Sequence, residues 1–85
     1  MKMGKNKESF KRVRKILLDI TEGEIDIEEF TGDEELNLYG LDSLKFIKLI
    51  IEIEEVFRIE IEDEMFIFEN FNTVNKILQY LDKVQ

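Results

Sequence analysis

From Phe10 to Ile20 the apolar residues Phe10, Val13, Ile16, Leu17 and Ile20 recur at helical spacing with charges between them. That periodicity predicts a first helix from about Glu8 to Ile20, ending near Thr21-Glu22-Gly23. The next stretch, Glu24 to Leu41, contains Gly32 and Gly40, and its apolar residues Ile25, Ile27, Phe30, Leu36 and Leu38 fit no clean period. It reads as a long, partly ordered loop anchored by those side chains, and loops of such length are uncommon unless functional or poorly ordered. Leu44 to Phe57 is the strongest helical pattern, with Asp42 as N-cap and Gly40 allowing a tight approach to it. Arg58 to Glu62 alternates like a strand, but only the short Ile25-Asp26-Ile27 could pair with it, and an isolated two-stranded unit is marginal. An extended loop with Ile59 and Ile61 plugged into the core is the better reading. Glu64 to Asn70 can make a short helix, and Asn72 or Thr73 caps a last one in which Val74, Ile77, Leu78 and Leu81 share a face. The expected fold is all-α: a four-helix bundle with a short third helix and a long loop between helices one and two.

The second helix carries more apolar surface than packing requires. With Leu44 at zero and 100° per residue, Val56, Leu49, Ile53, Phe46, Phe57 and Ile50 fall within roughly 120°, a core-facing arc. Lys45, Lys48, Glu52, Glu54, Glu55 and Arg58 take the remaining arc, yet Leu44, Ile47 and Ile51 lie among them. Either the first loop or the short third helix folds over this stripe, or it is a ridge for docking a partner. Periodicity alone does not choose between the two.

Composition narrows the chemistry. The 85 residues include no Cys, His, Pro or Trp and carry a net charge of −8, with 44% hydrophobic and 38% charged side chains. The apolar content suits one small domain with a dense core spanning residues 1–85, residues 1–7 being flexible, and not an acidic disordered tail. Without Cys or His there is no thiolate, no His-based zinc site and no Ser-His or Cys-His pair. Net acidity argues against nucleic acid, which needs an excess of Lys and Arg. No run reaches membrane-spanning length, so no membrane insertion is expected, and a soluble, cytoplasmic monomer is the default reading. The charge is also polarised. Residues 1–15 hold seven Lys and Arg against one acid, and residues 16–85 hold five against nineteen. A basic helix packed on an acidic remainder accounts for that more simply than an electrostatic partner does. Lys11, Arg12, Arg14 and Lys15 then form its outer face.

Blander readings also hold for Phe66, Phe68 and Phe71, taken as core and short-helix packing, and for Asp33-Glu34-Glu35, which lacks the spaced ligands of a calcium loop. No metal site is expected. Ser43 differs, because Gly40-Leu41-Asp42-Ser43-Leu44 sets a serine at the first turn of a helix. Free N–H groups and the helix dipole there favour an attached phosphate. With no His in the chain, Ser43 has no usual partner for activation as a nucleophile.

The residues around this serine extend the pattern over most of the chain. Gly40-Leu41-Asp42-Ser43-Leu44 is followed by an amphipathic helix ending Glu54-Glu55-Val56-Phe57. After it come Ile59-Glu60-Ile61 with Asp63-Glu64, Thr73-Val74 and Tyr80-Leu81. In order and spacing, from residue 8 to 83, the chain resembles the acyl carrier and peptidyl carrier protein family. That resemblance implies a carrier and not an enzyme. A phosphopantetheinyl transferase would attach 4′-phosphopantetheine from coenzyme A to Ser43. The arm's thiol would carry an acyl or aminoacyl thioester from a loading ligase to a downstream transferase or synthase. It further implies Asp42 and Leu44 beside the attachment point, and Leu44, Ile47, Lys48, Ile51, Glu54 and Glu55 as partner-facing positions. Lys45 and Lys48 stand where the resemblance to fatty-acid-type carriers implies acidic residues, and Ser43-Leu44-Lys45 resembles peptidyl carriers, whereas the overall acidity and Ile59-Glu60-Ile61-Glu62 resemble acyl carriers. A carrier serving a specialised biosynthetic pathway fits that mixture. The alternative from another class is an unmodified helical adaptor that binds a partner through the Leu44/Ile47/Ile51 stripe.

Overall fold

The structure is a computed structural model that describes residues 2–84, with side chains from residue 7 onward. Three α-helices, α1 (Lys2–Ile20), α2 (Ser43–Phe57) and α3 (Val74–Val84), pack around one apolar core. Helix α1 lies against both others. It starts earlier than the expected Glu8; of residues 1–7, expected to be flexible, Met1 and the side chains of residues 2–6 lie outside the described residues.

The first helix buries Val13, Ile16 and Leu17, as its period requires, and Phe10 and Ile20 flank them. Its end is built by Thr21 and Gly23. The Gly23 N–H donates to Leu18 O at 2.8 Å from a left-handed φ of 86°, a position that favours glycine. The buried Thr21 hydroxyl donates to Leu17 O at 2.6 Å and accepts the Ile25 N–H at 3.0 Å. One side chain therefore satisfies both the last turn of α1 and the first buried residue of the connection.

That connection is long and is anchored at several points along its length. Ile25, Ile27, Leu36 and Leu41 are fully buried, each worth about 1.5–3 kcal/mol against exposure. Polar contacts fix the remainder. Arg14 grips Asp26 with two hydrogen bonds, 2.7 and 3.0 Å, and approaches Glu28 at 3.2 Å. Glu34 accepts the Thr31 and Gly32 N–H groups at 2.9 Å each. Farther along, the loop is stitched to the start of α3. Leu36 N–H donates to Asn72 O at 2.8 Å, and Asn75 N–H to Gly32 O at 3.0 Å. Leu38 does not anchor the loop as expected. It is 73% exposed, because the 3-10 turn Leu36–Tyr39 commits Leu36 inward and rotates Leu38 out.

The expected short third helix is corrected, and with it the count of four. In place of a helix over residues 64–70 there are two 3-10 turns, Asp63–Met65 and Phe68–Asn70, so the described residues hold three α-helices. Ile67 breaks the run: its extended backbone (φ −116°, ψ 131°) separates the turns. The Asn70 carboxamide donates back to Met65 O at 3.3 Å, a local bond that competes with helix continuation. As a result Phe66 is exposed, against its expected packing role, while Phe68 rests on the core and Phe71 is fully buried. Residues 59–61 form the expected extended loop, with Ile61 buried and Ile59 packed beside it. Thr73 caps α3 through its hydroxyl, which accepts the Lys76 N–H at 3.2 Å.

Candidate functional site

The start of α2 is assembled from the turn that precedes it. Leu36 and Leu41 are pinned in the core five residues apart, with Leu41 N–H donating to Leu36 O at 3.1 Å. Gly40 closes that turn at φ 119°, a backbone angle that side-chain-bearing residues rarely adopt. Asp42 follows in extended conformation and caps the helix: its Oδ1 accepts the Lys45 N–H at 2.9 Å, while its carbonyl accepts the Phe46 N–H at 2.8 Å. Lys45 and Phe46 are thus satisfied, and the N–H groups of Ser43 and Leu44 remain without a helical acceptor.

Ser43 is exposed as the first residue of α2. Its hydroxyl stands at the positive end of a helix dipole, next to two unspent donors. Asp42 is the nearest acid, and one of its carboxylate oxygens is committed to the cap. A surface groove of about 490 Å³ opens beside the serine, lined by Asn37, Leu41, Asp42, Ser43, Phe46, Ile47, Phe66 and Phe68. Its inner wall is closed by the edge-to-face pair Phe46–Phe68, with ring centroids 5.3 Å apart.

The apolar stripe on α2 is uncovered. Leu44, Ile47 and Ile51 are 64%, 51% and 47% exposed, so neither the first loop nor the 63–70 segment folds over them. The opposite face behaves as the helical wheel requires, with Phe46, Leu49, Ile50, Ile53 and Phe57 buried. Val56 departs from it. At the edge of the core arc, it emerges between α1 and α2 beside Arg12, Lys15 and Arg58. Lys48 and Glu55 are exposed at the margin of the stripe. Glu54 is half-buried, and its Oε2 accepts the Ile61 N–H at 2.8 Å.

The structure adds surface that periodicity could not find. Leu38 and Tyr39 project from the turn before α2, and Phe66 and Ile67 from the turns beyond it, all exposed. Their only sequence signal is apolar character outside a regular period, which is equally the mark of a loop anchor. Asp33, Glu34 and Glu35 serve the loop: Asp33 accepts from the Asn75 carboxamide at 2.8 Å, and backbone donors from Thr31 and Gly32 hold the Glu34 carboxyl below its ordinary range. Among the described residues no group of three or more acidic side chains is placed to hold a metal ion, and no helix is long and apolar enough to cross a membrane.

A small helical domain with an exposed serine at a capped helix start, beside an uncovered apolar ridge, has the form of a carrier module. Comparison with known proteins agrees. Residues 11–81 match the family described as phosphopantetheine attachment site. The D-alanyl carrier protein of Streptococcus equi subsp. zooepidemicus is 35% identical over 60 residues, which cover 71% of this chain and 76% of the relative. The acyl carrier protein of Desulforapulum autotrophicum is 36% identical over 73 residues, or 85% of this chain and 91% of that protein. The chain belongs to the phosphopantetheine-binding carrier family, whose prosthetic group is covalent 4′-phosphopantetheine. Carriers of this family are not themselves catalytic; they are served by a phosphopantetheinyl transferase and by partner enzymes.

Proposed function

We propose that Ser43 is the attachment point and that the protein shuttles an acyl or aminoacyl group between enzymes of a specialised biosynthetic pathway in the cytoplasm. The observation that carries this reading is the exposed Ser43 hydroxyl at the Asp42-capped start of α2, inside the matched span. The surroundings fit a phosphodiester: the Ser43 and Leu44 N–H groups are free to receive its charge, and the helix dipole offsets part of the repulsion from Asp42. When bound, the group supplies the thiol that this Cys-free chain lacks. The protein's own share is position and recognition. Leu44, Ile47 and Ile51 offer apolar docking area, Lys48 and Glu55 give it a mixed charged rim, and no residue performs bond chemistry.

Both named relatives bear on the cargo. One carries D-alanine by name and the other an acyl group. An aminoacyl cargo is favoured by the cations Lys45 and Lys48 on α2, the feature that departs from fatty-acid-type carriers. Incubation with coenzyme A and a broad-specificity phosphopantetheinyl transferase should add one arm, read by intact-protein mass spectrometry and mapped to Ser43. An unmodified protein, or Ser43→Ala modified to the same extent, would refute the attachment. The adaptor alternative predicts instead that Ser43→Ala retains function while changes in the stripe abolish it.

A further inference from the structure

We propose that Asn37 is a positioning residue for the arm, donating from its carboxamide to hold the proximal part of the arm against the groove beside Ser43. This rests on Ser43 being the attachment point. The groove has a simple polar inventory. Apart from Ser43 itself its polar side chains are Asp42, an acid engaged in capping, and Asn37. The rest of the wall is Leu41, Phe46, Ile47, Phe66 and Phe68. A phosphopantetheine arm begins with a phosphodiester, continues through a quaternary dimethyl carbon and then a carbon bearing a hydroxyl, and after them presents two amides. Such a chain needs an apolar wall for its methyl groups and a neutral donor–acceptor for its oxygens and amides. Asn37 offers two N–H donors and one carbonyl acceptor without adding negative charge beside the phosphate.

Asn37 is also presented rigidly. It follows Leu36, which is fully buried and whose N–H is bonded to Asn72 O on the approach to α3. Three residues later Gly40 fixes the path into the helix cap. The Asn37 backbone is therefore held relative to Ser43 by the same turn that sets the helix start, while its side chain is exposed and makes no hydrogen bond among the described residues. Behind the groove the Phe46–Phe68 contact and the fully buried Phe71 leave the arm on the surface instead of admitting it to the core.

The test uses full-length protein, uniformly labelled with nitrogen-15 and converted to the loaded form with coenzyme A and a transferase. Loading should shift the Asn37 side-chain amide resonances and give contacts between the arm's methyl protons and the Phe66 and Phe68 ring protons. Asn37→Ala and Asn37→Asp should load to the same final extent yet lose most of those methyl–ring contacts, and Asn37→Gln should restore part of them. Full loading at Ser43 with unmoved Asn37 amide resonances, or contacts undiminished in Asn37→Ala, overturns the role of Asn37 alone. Failure to load at Ser43 overturns the attachment reading, and this inference with it.

Discussion

Glu54 turns back toward the chain that leaves its own helix: its Oε2 accepts the Ile61 N–H at 2.8 Å, between the last turn of α2 and a buried residue seven positions on. The contact explains how the chain returns to the core after Arg58 takes a left-handed conformation (φ 57°) at the end of α2. It also separates two acids that look equivalent in sequence, since Glu55 has no such partner and faces solvent.

Removing the Glu54 carboxylate leaves a backbone donor unpaired beside the core, a loss of about 1–3 kcal/mol. In a domain this small each kcal/mol lowers the melting temperature by roughly 4–8 °C. Glu54→Ala should therefore melt clearly below the parent, Glu54→Gln should recover most of the loss through its carbonyl, and Glu55→Ala should stay within about 0.5 kcal/mol. Equal melting curves for the two alanine variants, followed by circular dichroism, would show that the bond carries no weight.

Gly40 offers a second test, of backbone strain against crowding. A Cβ there would come 2.8 Å from Glu24 Oε1, the mobile end of a side chain, while φ stays at 119°. The backbone cost, about 1–3 kcal/mol, should outweigh the clash. Gly40→Ala is expected to lose that much in urea unfolding, and adding Glu24→Ala should recover little of it. Full recovery would make crowding the dominant effect.

Acid sensitivity follows from Arg14 and Asp26. The Arg14 guanidinium, with help from the Glu28 N–H, holds the Asp26 carboxyl down at about 2 from an ordinary 3.8. A carboxyl depressed in the folded state adds stability that is complete above its unfolded pKa and disappears as pH falls through the folded one. The contribution of this pair should thus be constant above about pH 4 and decline between pH 4 and 2. Both side chains are more than a third exposed, so the effect is small and screened by salt. Asp26→Asn should flatten that part of the difference in stability between pH 5 and pH 2. A parallel acid profile for parent and variant would remove the pair as its cause.

The helices and the cap were readable in advance because each rests on local periodicity and on one side chain's chemistry. Val13, Ile16 and Leu17 face inward, and Asp42 caps α2, for reasons contained within a few residues of each. The 63–70 segment was not readable, because its outcome turns on Ile67 adopting extended backbone and Asn70 bonding back to Met65. Nor could spacing say whether Leu44, Ile47 and Ile51 lie open, since exposure depends on where a distant segment stops. Leu38 shows the same limit. A leucine two residues after Leu36 looks like an anchor until a 3-10 turn assigns the two to opposite sides.

The exposed stripe of α2 should be separable from its core face by experiment. Ile47 is 51% exposed, and Leu49, two residues later, is fully buried. Leu49→Ala opens a cavity in the core and should cost about 2–5 kcal/mol. That is a large part of the roughly 5–15 kcal/mol a whole domain possesses. Ile47→Asp places its charge in solvent and should leave stability within about 0.5 kcal/mol. If the stripe is where partners dock, the same change desolvates a carboxylate in every complex, and a central interface position lost this way costs about 2 kcal/mol or more. A broad-specificity phosphopantetheinyl transferase should then show a KM for Ile47→Asp raised more than about tenfold, since 1.4 kcal/mol is a factor of ten. The maximal rate should change far less, because Ser43 and its helix cap are untouched. An unchanged KM, with the melting curve also unchanged, would mean that this transferase approaches Ser43 without using the ridge.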